Sequence, residues 1–217
     1  EGLLDHKGRL LVAPSYTSIW WFSEGLVSVE KAGKYGFINH AGKEIVKPKY
    51  SFANAFFKGL APVRDEKTYT WGYINHKGRM VIPLRFAIAE RFNEHGVAVV
   101  TVRPKNWKRR GSLRGLQGLI DTRGKFVAPP KYDAIWYFTE GTAVFEINSK
   151  FQTSYCMKCR HTIKMSSQFG YLDAKGREII KPIYSHAKPF RNGLAQVMLQ
   201  YKRAYINKRG KTIYIQK

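Results

Sequence analysis

Cys156-Met157-Lys158-Cys159-Arg160-His161 is the densest group of metal-ligating side chains in the sequence, with two thiols three positions apart and an imidazole two positions beyond. Structural Zn²⁺ takes four ligands of these types in a tetrahedral shell. Only three are local, so a zinc site here needs a fourth from elsewhere, and His186 is one candidate by type. The same two cysteines can instead close a local Cys156–Cys159 disulfide in an oxidising compartment, or stand as free thiols. A redox pair of the thioredoxin kind needs a strand-to-helix setting, which the flanking sequence does not show. The chain has no second Cys-x-x-Cys. No cofactor is therefore expected, with Zn²⁺ the single one that the residues admit.

A second chemically distinctive stretch is Arg103-Pro104-Lys105-Asn106-Trp107-Lys108-Arg109-Arg110-Gly111-Ser112-Leu113-Arg114, six basic residues in twelve with one aromatic and no acid. Arg103, Lys105, Lys108, Arg109, Arg110 and Arg114 can neutralise phosphates while Trp107 stacks on an exposed base, a combination used to hold single-stranded nucleic acid. The competing reading is a solvated loop whose like charges hold it off the body. Neither a helix-turn-helix nor an RNP sequence accompanies it.

Two weaker patterns stand beside these. His6, His40 and His76 sit two residues before Gly8, Gly42 and Gly78, and a ladder of neutral imidazoles can bind metal or respond to pH. Later copies hold Thr122, Ala174 and Lys208 there, which argues for a tolerant turn position. Ile19-Trp20-Trp21-Phe22 and Ile135-Trp136-Tyr137-Phe138 are equivalent aromatic clusters, readable as sugar-stacking platforms or as core. Catalysis finds no support: there is no phosphate-cradling glycine loop, no His-Glu-x-x-His and no nucleophile elbow. The 15 carboxylates are scattered, and several are explained by turns. The chain is expected not to be an enzyme.

The elements that must carry these residues are repeats. Gly2-Leu3-Leu4-Asp5 with Gly8, Gly36-Phe37-Ile38-Asn39 with Gly42, Gly72-Tyr73-Ile74-Asn75 with Gly78, Gly118-Leu119-Ile120-Asp121 with Gly124, and Gly170-Tyr171-Leu172-Asp173 with Gly176 are one phrase in register. A sixth, partial copy runs Ala204-Tyr205-Ile206-Asn207 to Gly210. Each full copy continues with a Pro, an aromatic eight residues past the second Gly, a Phe, and a Gly-Leu-Ala-like run ending in Val. Second glycines lie 34, 36, 46, 52 and 34 residues apart, so the unit is about 34 residues. The surplus falls between copies, near residues 101–116 and 147–168.

Local physics explains the phrase. In Asn39-His40-Ala41-Gly42 the Asn side chain can accept from backbone two residues on, and Gly supplies the positive φ that closes a three-residue hairpin loop. The flanks are short, β-branched and aromatic, so they read as paired strands. Pro48 ends the second strand, Tyr50 to Phe56 crosses over, and Leu60-Ala61-Pro62-Val63 makes a third. Each copy is thus read as three short strands and a crossing segment.

This pattern resembles the WG-repeat (KWG) family, whose consensus is Trp-Gly-Tyr-Ile-Asp-x-x-Gly-Lys followed by Pro-x-Tyr, Phe and Gly-Leu-Ala-x-Val. Trp71-Gly72-Tyr73-Ile74-Asn75 with Gly78-Arg79 matches best; the other copies put Tyr35, Gln117, Phe169 or Arg203 in place of the Trp, and the last has Ala204 for the Gly. The resemblance covers nearly everything outside the two insertions. It implies a bacterial, β-rich repeat scaffold with a binding role, and no catalytic residues to carry over.

The expected architecture is all-β: residues 1–217 as a single repeat domain of five full copies and one partial copy in an open, solenoid-like array. A closed, propeller-like ring is the alternative. The array is favoured because residues 1–14 and 203–216 carry the same first and second strands and so do not complement each other, and because 34 residues is short for a four-stranded blade. The start at Glu1, inside a repeat, points to a fragment or processed product. No apolar run approaches the roughly 20 residues of a membrane span, and no signal region opens the chain.

Charge is distributed unevenly. The net charge is +23, yet residues 1–66 hold nine basic against seven acidic residues, and the remainder 29 against 8. Beyond Glu178 there is no acid, while Lys181, Lys188, Arg191, Lys202, Arg203, Lys208, Arg209, Lys211 and Lys217 are basic. Such a field favours anionic partners: nucleic acid, acidic lipid or glycan, or an acidic protein. The functional expectation is a noncatalytic binding module with a basic C-terminal half. The alternatives are a protein-interaction scaffold within a larger polypeptide, and a glycan-binding envelope protein using Trp20, Trp21, Trp136 and Tyr137.

Overall fold

One turn geometry recurs in all six copies of the phrase. In the second, Asn39 Oδ1 accepts from the N–H groups of Ala41 and Lys43 at 3.0 and 2.9 Å, and the Gly42 N–H donates to Asn39 O at 2.9 Å. Gly42 has φ +76°, where a Cβ would be strained, so the hairpin requires glycine there. Asp5, Asn75, Asp121, Asp173 and Asn207 accept from the same two backbone positions. The backbone N–H of Arg9, together with its side chain, holds the Asp5 carboxyl below the usual range.

The computed structural model describes residues 1–103, 115–147, 154–155, 162–163, 167–199 and 202–216, and among these it contains strands and no helix. β1 (Leu3–Leu4) pairs with β2 (Leu10–Val12). Next, β3 (Ser18–Ile19), β4 (Leu26–Lys31), β5 (Lys34–Asn39) and β6 (Glu44–Tyr50) form an antiparallel sheet in chain order. β7 (Phe52–Ala53), β8 (Leu60–Arg64), β9 (Trp71–Asn75) and β10 (Met80–Phe86) form another, as do β11 (Ile88–Ala89), β12 (Val97–Val102), β13 (Leu116–Asp121) and β14 (Phe126–Tyr132). β15 (Ala134–Ile135) and β16 (Thr142–Ile147) precede a small hairpin of β17 (Ser154–Tyr155) with β18 (Thr162–Ile163). β19 (Gln168–Asp173) and β20 (Glu178–Tyr184) complete the sheet begun by β15 and β16. β21 (His186–Ala187), β22 (Leu194–Leu199), β23 (Lys202–Asn207) and β24 (Thr212–Ile215) make the last.

The sequence expectation of three strands per copy is therefore one short. The crossing segment carries a two-residue strand, as at Phe52–Ala53, which pairs Phe52↔Arg64 and Ala53↔Val63. Two residues cannot show a period of two, so no pattern betrays such a strand. The sheets are also offset from the sequence repeat. β3 and β4 close one copy while β5 and β6 open the next, and a six-pair ladder from Leu26↔Asn39 to Lys31↔Lys34 joins them. Successive copies are thus bound through backbone hydrogen bonds as well as side-chain packing. None of these sheets closes into a barrel.

The chain divides into two compact units, Glu1–Val100 with Ile120–Lys125, and Thr101–Leu119 with Phe126–Lys217. In the first, Phe37, Phe56, Ala61, Val63 and Ile74 are fully buried together with Val46 and Tyr50. In the second, Tyr171, Phe190, Val197, Ala204 and Ile206 form the corresponding cluster. The repeat aromatics meet in pairs: Phe37 with Phe56 at 4.8 Å, Tyr73 with Phe92 at 4.9 Å, and Tyr171 with Phe190 at 4.7 Å between ring centres. Burying a side chain of this size stabilises by about 1.5–3 kcal/mol. Tyr73 and Tyr171 also donate their hydroxyls to the carbonyls of Glu90 and Lys188 at 2.7 and 2.8 Å, which satisfies the one polar atom in each pair.

Candidate binding site

Strand alternation in the last sheet sends Ala195, Val197, Ala204 and Ile206 into the core of the second unit and Leu194, Gln196, Met198, Arg203 and Tyr205 to the other face. That other face is open. Tyr205 is 40% exposed, whereas its repeat equivalents Phe37, Tyr73, Leu119 and Tyr171 are at 0%. In three other copies the aromatic meets the Phe fourteen residues past the second Gly of its own copy, Phe37 with Phe56, Tyr73 with Phe92 and Tyr171 with Phe190. Tyr205 instead meets Tyr214 of β24, its cross-strand partner, with ring centres 6.4 Å apart and planes at 49°.

Basic groups line the groove beside Tyr205. Lys188, Arg191, Asn192, Leu194, Gln196, Tyr205 and, from the preceding copy, Tyr137 line an open groove of about 660 Å³. A smaller hollow, lined in part by His186, Met198 and Arg203, shares Lys188 and Gln196 with it. The loop that carries these groups is anchored by Glu140, which accepts from the Gly193 N–H at 3.1 Å and from Lys208 Nζ at 3.1 Å. The Lys208 ammonium, helped by that N–H, holds the Glu140 carboxyl below its ordinary value. Glu140 sits at φ +49° beside Gly141 in a tight turn, which lets a residue at the end of one copy reach two copies ahead. Glu24 does the same in the first unit, accepting from the Gly59 N–H and pairing with His76 Nε2, both at 3.0 Å.

The residues singled out from sequence fall unevenly on this structure. Of the basic insertion only Arg103 is described, exposed at the end of β12; Lys105, Trp107, Lys108, Arg109, Arg110 and Arg114 lie outside the described residues. Cys156, Cys159 and His161 also lie outside them. Among the described residues no three His, Cys, Asp or Glu side chains converge as a metal site. The His ladder has a structural explanation: His40 stacks on Phe22 at 3.9 Å and His76 on Phe56 at 4.7 Å, so each ring lies against an aromatic anchor of the preceding copy. In the aromatic clusters Trp21 is 79% and Tyr137 63% exposed, Trp136 37%, and Trp20 is half-buried against Tyr35 at 5.4 Å. The open face around Tyr205 was missed.

The family model for the WG containing repeat matches residues 2–35, 35–69, 71–103, 118–151 and 169–202. The chain belongs to the WG-containing repeat family. No curated protein matches it in sequence. Among solved structures, one titled as the eukaryotic initiation factor is similar in fold at 8% identity and a TM-score of 0.55, with 96% of this chain and 56% of that chain covered. Hsv2p of Kluyveromyces lactis gives 11% identity, a TM-score of 0.45, and 92% and 63% coverage. The chain thus spans between 56% and 65% of the length of the first structures it matches.

The geometry explains the glycine of the WG motif. A Cβ on Gly72 would stand 2.5 Å from Ile82 O and 2.9 Å from Leu84 N, both backbone atoms of the neighbouring strand. Gly36 and Gly118 meet the same obstruction from Val46 O and Ala128 O. The strands press together here because the register shifts across the proline-bearing stretch, as between Ile82 and Phe86. The tryptophan of the one full WG pair, Trp71, packs on Phe52 at 5.5 Å with the Arg64 guanidinium 5.9 Å over its ring.

Proposed function

We propose that this WG-repeat chain is a noncatalytic binding module whose basic second half docks onto a polyanionic or acidic partner. The carrying observation is the charge asymmetry: 29 basic against 8 acidic residues after position 66, and no acid after Glu178. In keeping with it, Lys188, Arg191 and Arg203 are exposed on or beside the open face of the last sheet. A field of this sign raises the local concentration of anions and speeds their encounter, in a salt-dependent way. The test is a salt-titrated binding screen against DNA, RNA, anionic lipid vesicles and acidic glycans. Affinity that falls with salt for at least one class agrees with the reading, and absence of binding to all of them at low salt refutes it.

A second reading, glycan binding, is favoured by one observation: Trp21 and Tyr137 occupy equivalent positions in two copies and are 79% and 63% exposed. Large aromatics held open at a repeated position can stack on sugar rings. Salt-insensitive retention on a glycan array, lost in Trp21→Ala, would support it. For the arrangement of the copies the reading stays an open array with a closed ring as the alternative, although five sheets among the described residues have the four strands that a unit of about 34 residues was expected to be too short for. A radius of gyration clearly above the roughly 17 Å of a compact chain of this length agrees with an array, and a value near it favours a ring.

A further inference from the structure

We infer that the connection between β8 and β9 carries a binding site for an acidic saccharide, with the Arg64 guanidinium taking a sugar carboxylate and the Tyr69 ring stacking on the sugar. The site goes beyond the readings above. It lies within the first unit and uses neither the basic residues of the last copies nor Trp21 and Tyr137.

The guanidinium is held in place without being paired. Arg64 Nε donates to Ser51 Oγ at 2.9 Å, and the guanidinium carbon lies 5.8 Å from the Tyr69 ring centre and 5.9 Å from that of Trp71. Its two Nη groups meet no carboxylate among the described residues, because the acids next to it in sequence are engaged elsewhere. Asp65 Oδ2 accepts from the backbone N–H groups of Lys67 and Thr68 at 3.0 and 2.8 Å and from Thr68 Oγ1 at 2.9 Å. Glu66 pairs with Lys34. The arrangement is particular to this copy: Arg64 stands opposite Trp71, whereas the corresponding cross-strand pairs Glu30↔Tyr35 and Glu146↔Phe169 put a carboxylate beside the aromatic.

The loop presents a ring next to that cation. The Tyr69 N–H donates to Asp65 O at 3.1 Å and the Asp65 N–H to Thr70 O at 2.9 Å, which closes the connection with Tyr69 at φ +53°. A bulky side chain seldom takes that backbone region, and here it leaves the ring 66% exposed. The hydroxyls of Thr68 and Thr70 meet at 2.7 Å on the same loop, and Phe52, 38% exposed, packs on Trp71 at 5.5 Å. This connection joins one copy to the next, the place in the repeat where the sequence also puts both insertions. Copies therefore differ most here, on a scaffold that is otherwise constant.

The ligand class follows from these groups. A guanidinium fork matches a planar carboxylate through two parallel hydrogen bonds. An open phenol ring offers an apolar face to the C–H side of a sugar, and the threonine hydroxyls can exchange hydrogen bonds with sugar hydroxyls. A nucleic-acid strand fits less well, since successive phosphates need successive cations and Lys34 is committed to Glu66. Residues 64–71 also hold no Asn or Gln with which to read a base edge.

The experiment uses the full 217-residue chain and isothermal titration calorimetry at one near-physiological salt concentration. The probes are a galacturonic acid trisaccharide, the neutral galactose trisaccharide and uridine monophosphate, each with wild type, Arg64→Gln, Arg64→Lys and Tyr69→Ala. The expected result is that the uronide binds at least about tenfold tighter than the neutral sugar, the scale of a charge-assisted pair. Arg64→Gln should abolish that preference, and Arg64→Lys, which keeps the charge but loses the fork, should restore it only in part. Tyr69→Ala should weaken both sugars by about two- to tenfold and leave the preference between them unchanged. An unchanged unfolding midpoint verifies each fold; if Arg64→Gln fails this control, Arg64→Lys and Tyr69→Ala decide. No uronide binding at millimolar concentration, equal binding of the two sugars, or binding indifferent to all three variants overturns the site. Tighter binding of uridine monophosphate that depends on Arg64 and Tyr69 also overturns it, in favour of a nucleotide. None of the variants touches the basic residues of the last copies, so failure here leaves the polyanion reading standing, and failure of that reading leaves this site standing.

Discussion

Replacing Gly72 with alanine isolates the steric logic of the WG pair. The added methyl would lie 2.5 Å from Ile82 O and 2.9 Å from both Leu84 N and Pro83 C. Unstrained heavy-atom contacts lie near 3.5 Å or beyond, so β9 and β10 must separate by roughly 1 Å. They cannot do so freely, since the flanking pairs Ile82↔Tyr73 and Phe86↔Trp71 fix the register and Tyr73, Ile74 and Phe86 are fully buried. Overpacking of a closed core costs about 1–3 kcal/mol, and the upper end applies because every obstructing atom is backbone. For a chain of this length about 3 kcal/mol lowers Tm by roughly 6–12 °C. Gly25→Ala is the comparator, because its methyl would meet nothing within 4 Å and the penalty comes only from φ +83°. That strain costs about 1–2 kcal/mol. Nature supplies a third case in Ala204, which occupies the motif position opposite Ile215 in the copy without the proline. Calorimetry and urea unfolding followed by tryptophan fluorescence would rank the two variants. A Gly72→Ala protein as stable as wild type, or more stable than Gly25→Ala, would refute the close-approach explanation.

Other outcomes follow from the same geometry. Tyr171→Phe removes the hydroxyl that satisfies Lys188 O and should cost about 1 kcal/mol by urea denaturation, with little change in packing. Asp5, Asp121, Asp173 and Glu140 all have carboxyls held below their ordinary values, so the stability they contribute is present above about pH 4 and lost as pH falls through the folded values. A pH series of unfolding midpoints should therefore drop on the acid side, and Glu140→Gln should lose part of that drop. Burial, with the hydrogen bond to Glu44, pushes the Tyr16 phenol up to about 12. The neutral phenol is thus favoured when folded, and its stabilisation should be present below pH 10 and lost from there to about pH 12, read as delayed tyrosinate absorbance. Trp21→Ala removes a 79% exposed ring and should shift stability by less than about 0.5 kcal/mol; a large loss would show that the ring is structural.

Much of the fold was legible because its signals are local. Asn39 or Asp173 capping two backbone N–H groups ahead of a positive-φ glycine needs only a few consecutive residues, so the hairpins could be placed from composition alone. The two-residue strand at Phe52–Ala53 was not legible, because its existence depends on Val63 and Arg64 arriving beside it. The insertion residues drew attention by composition, and of them the described structure places only Arg103. The face around Tyr205 drew none, because nothing in Ala204-Tyr205-Ile206-Asn207 differs in kind from Gly170-Tyr171-Leu172-Asp173.

By itself, then, the sequence determined the repeat, its turns, the all-β class, the family and the sign of the charge, all of which are properties of residues near one another or of simple sums. The tertiary structure decided which strands share a sheet, that each sheet joins the end of one copy to the start of the next, and which copies of the same aromatic are covered. Tyr171 lies at 0% exposure and Tyr205 at 40% in the same motif. Burial depends on what stands across from a side chain, and that is set by partners many residues away rather than by the motif.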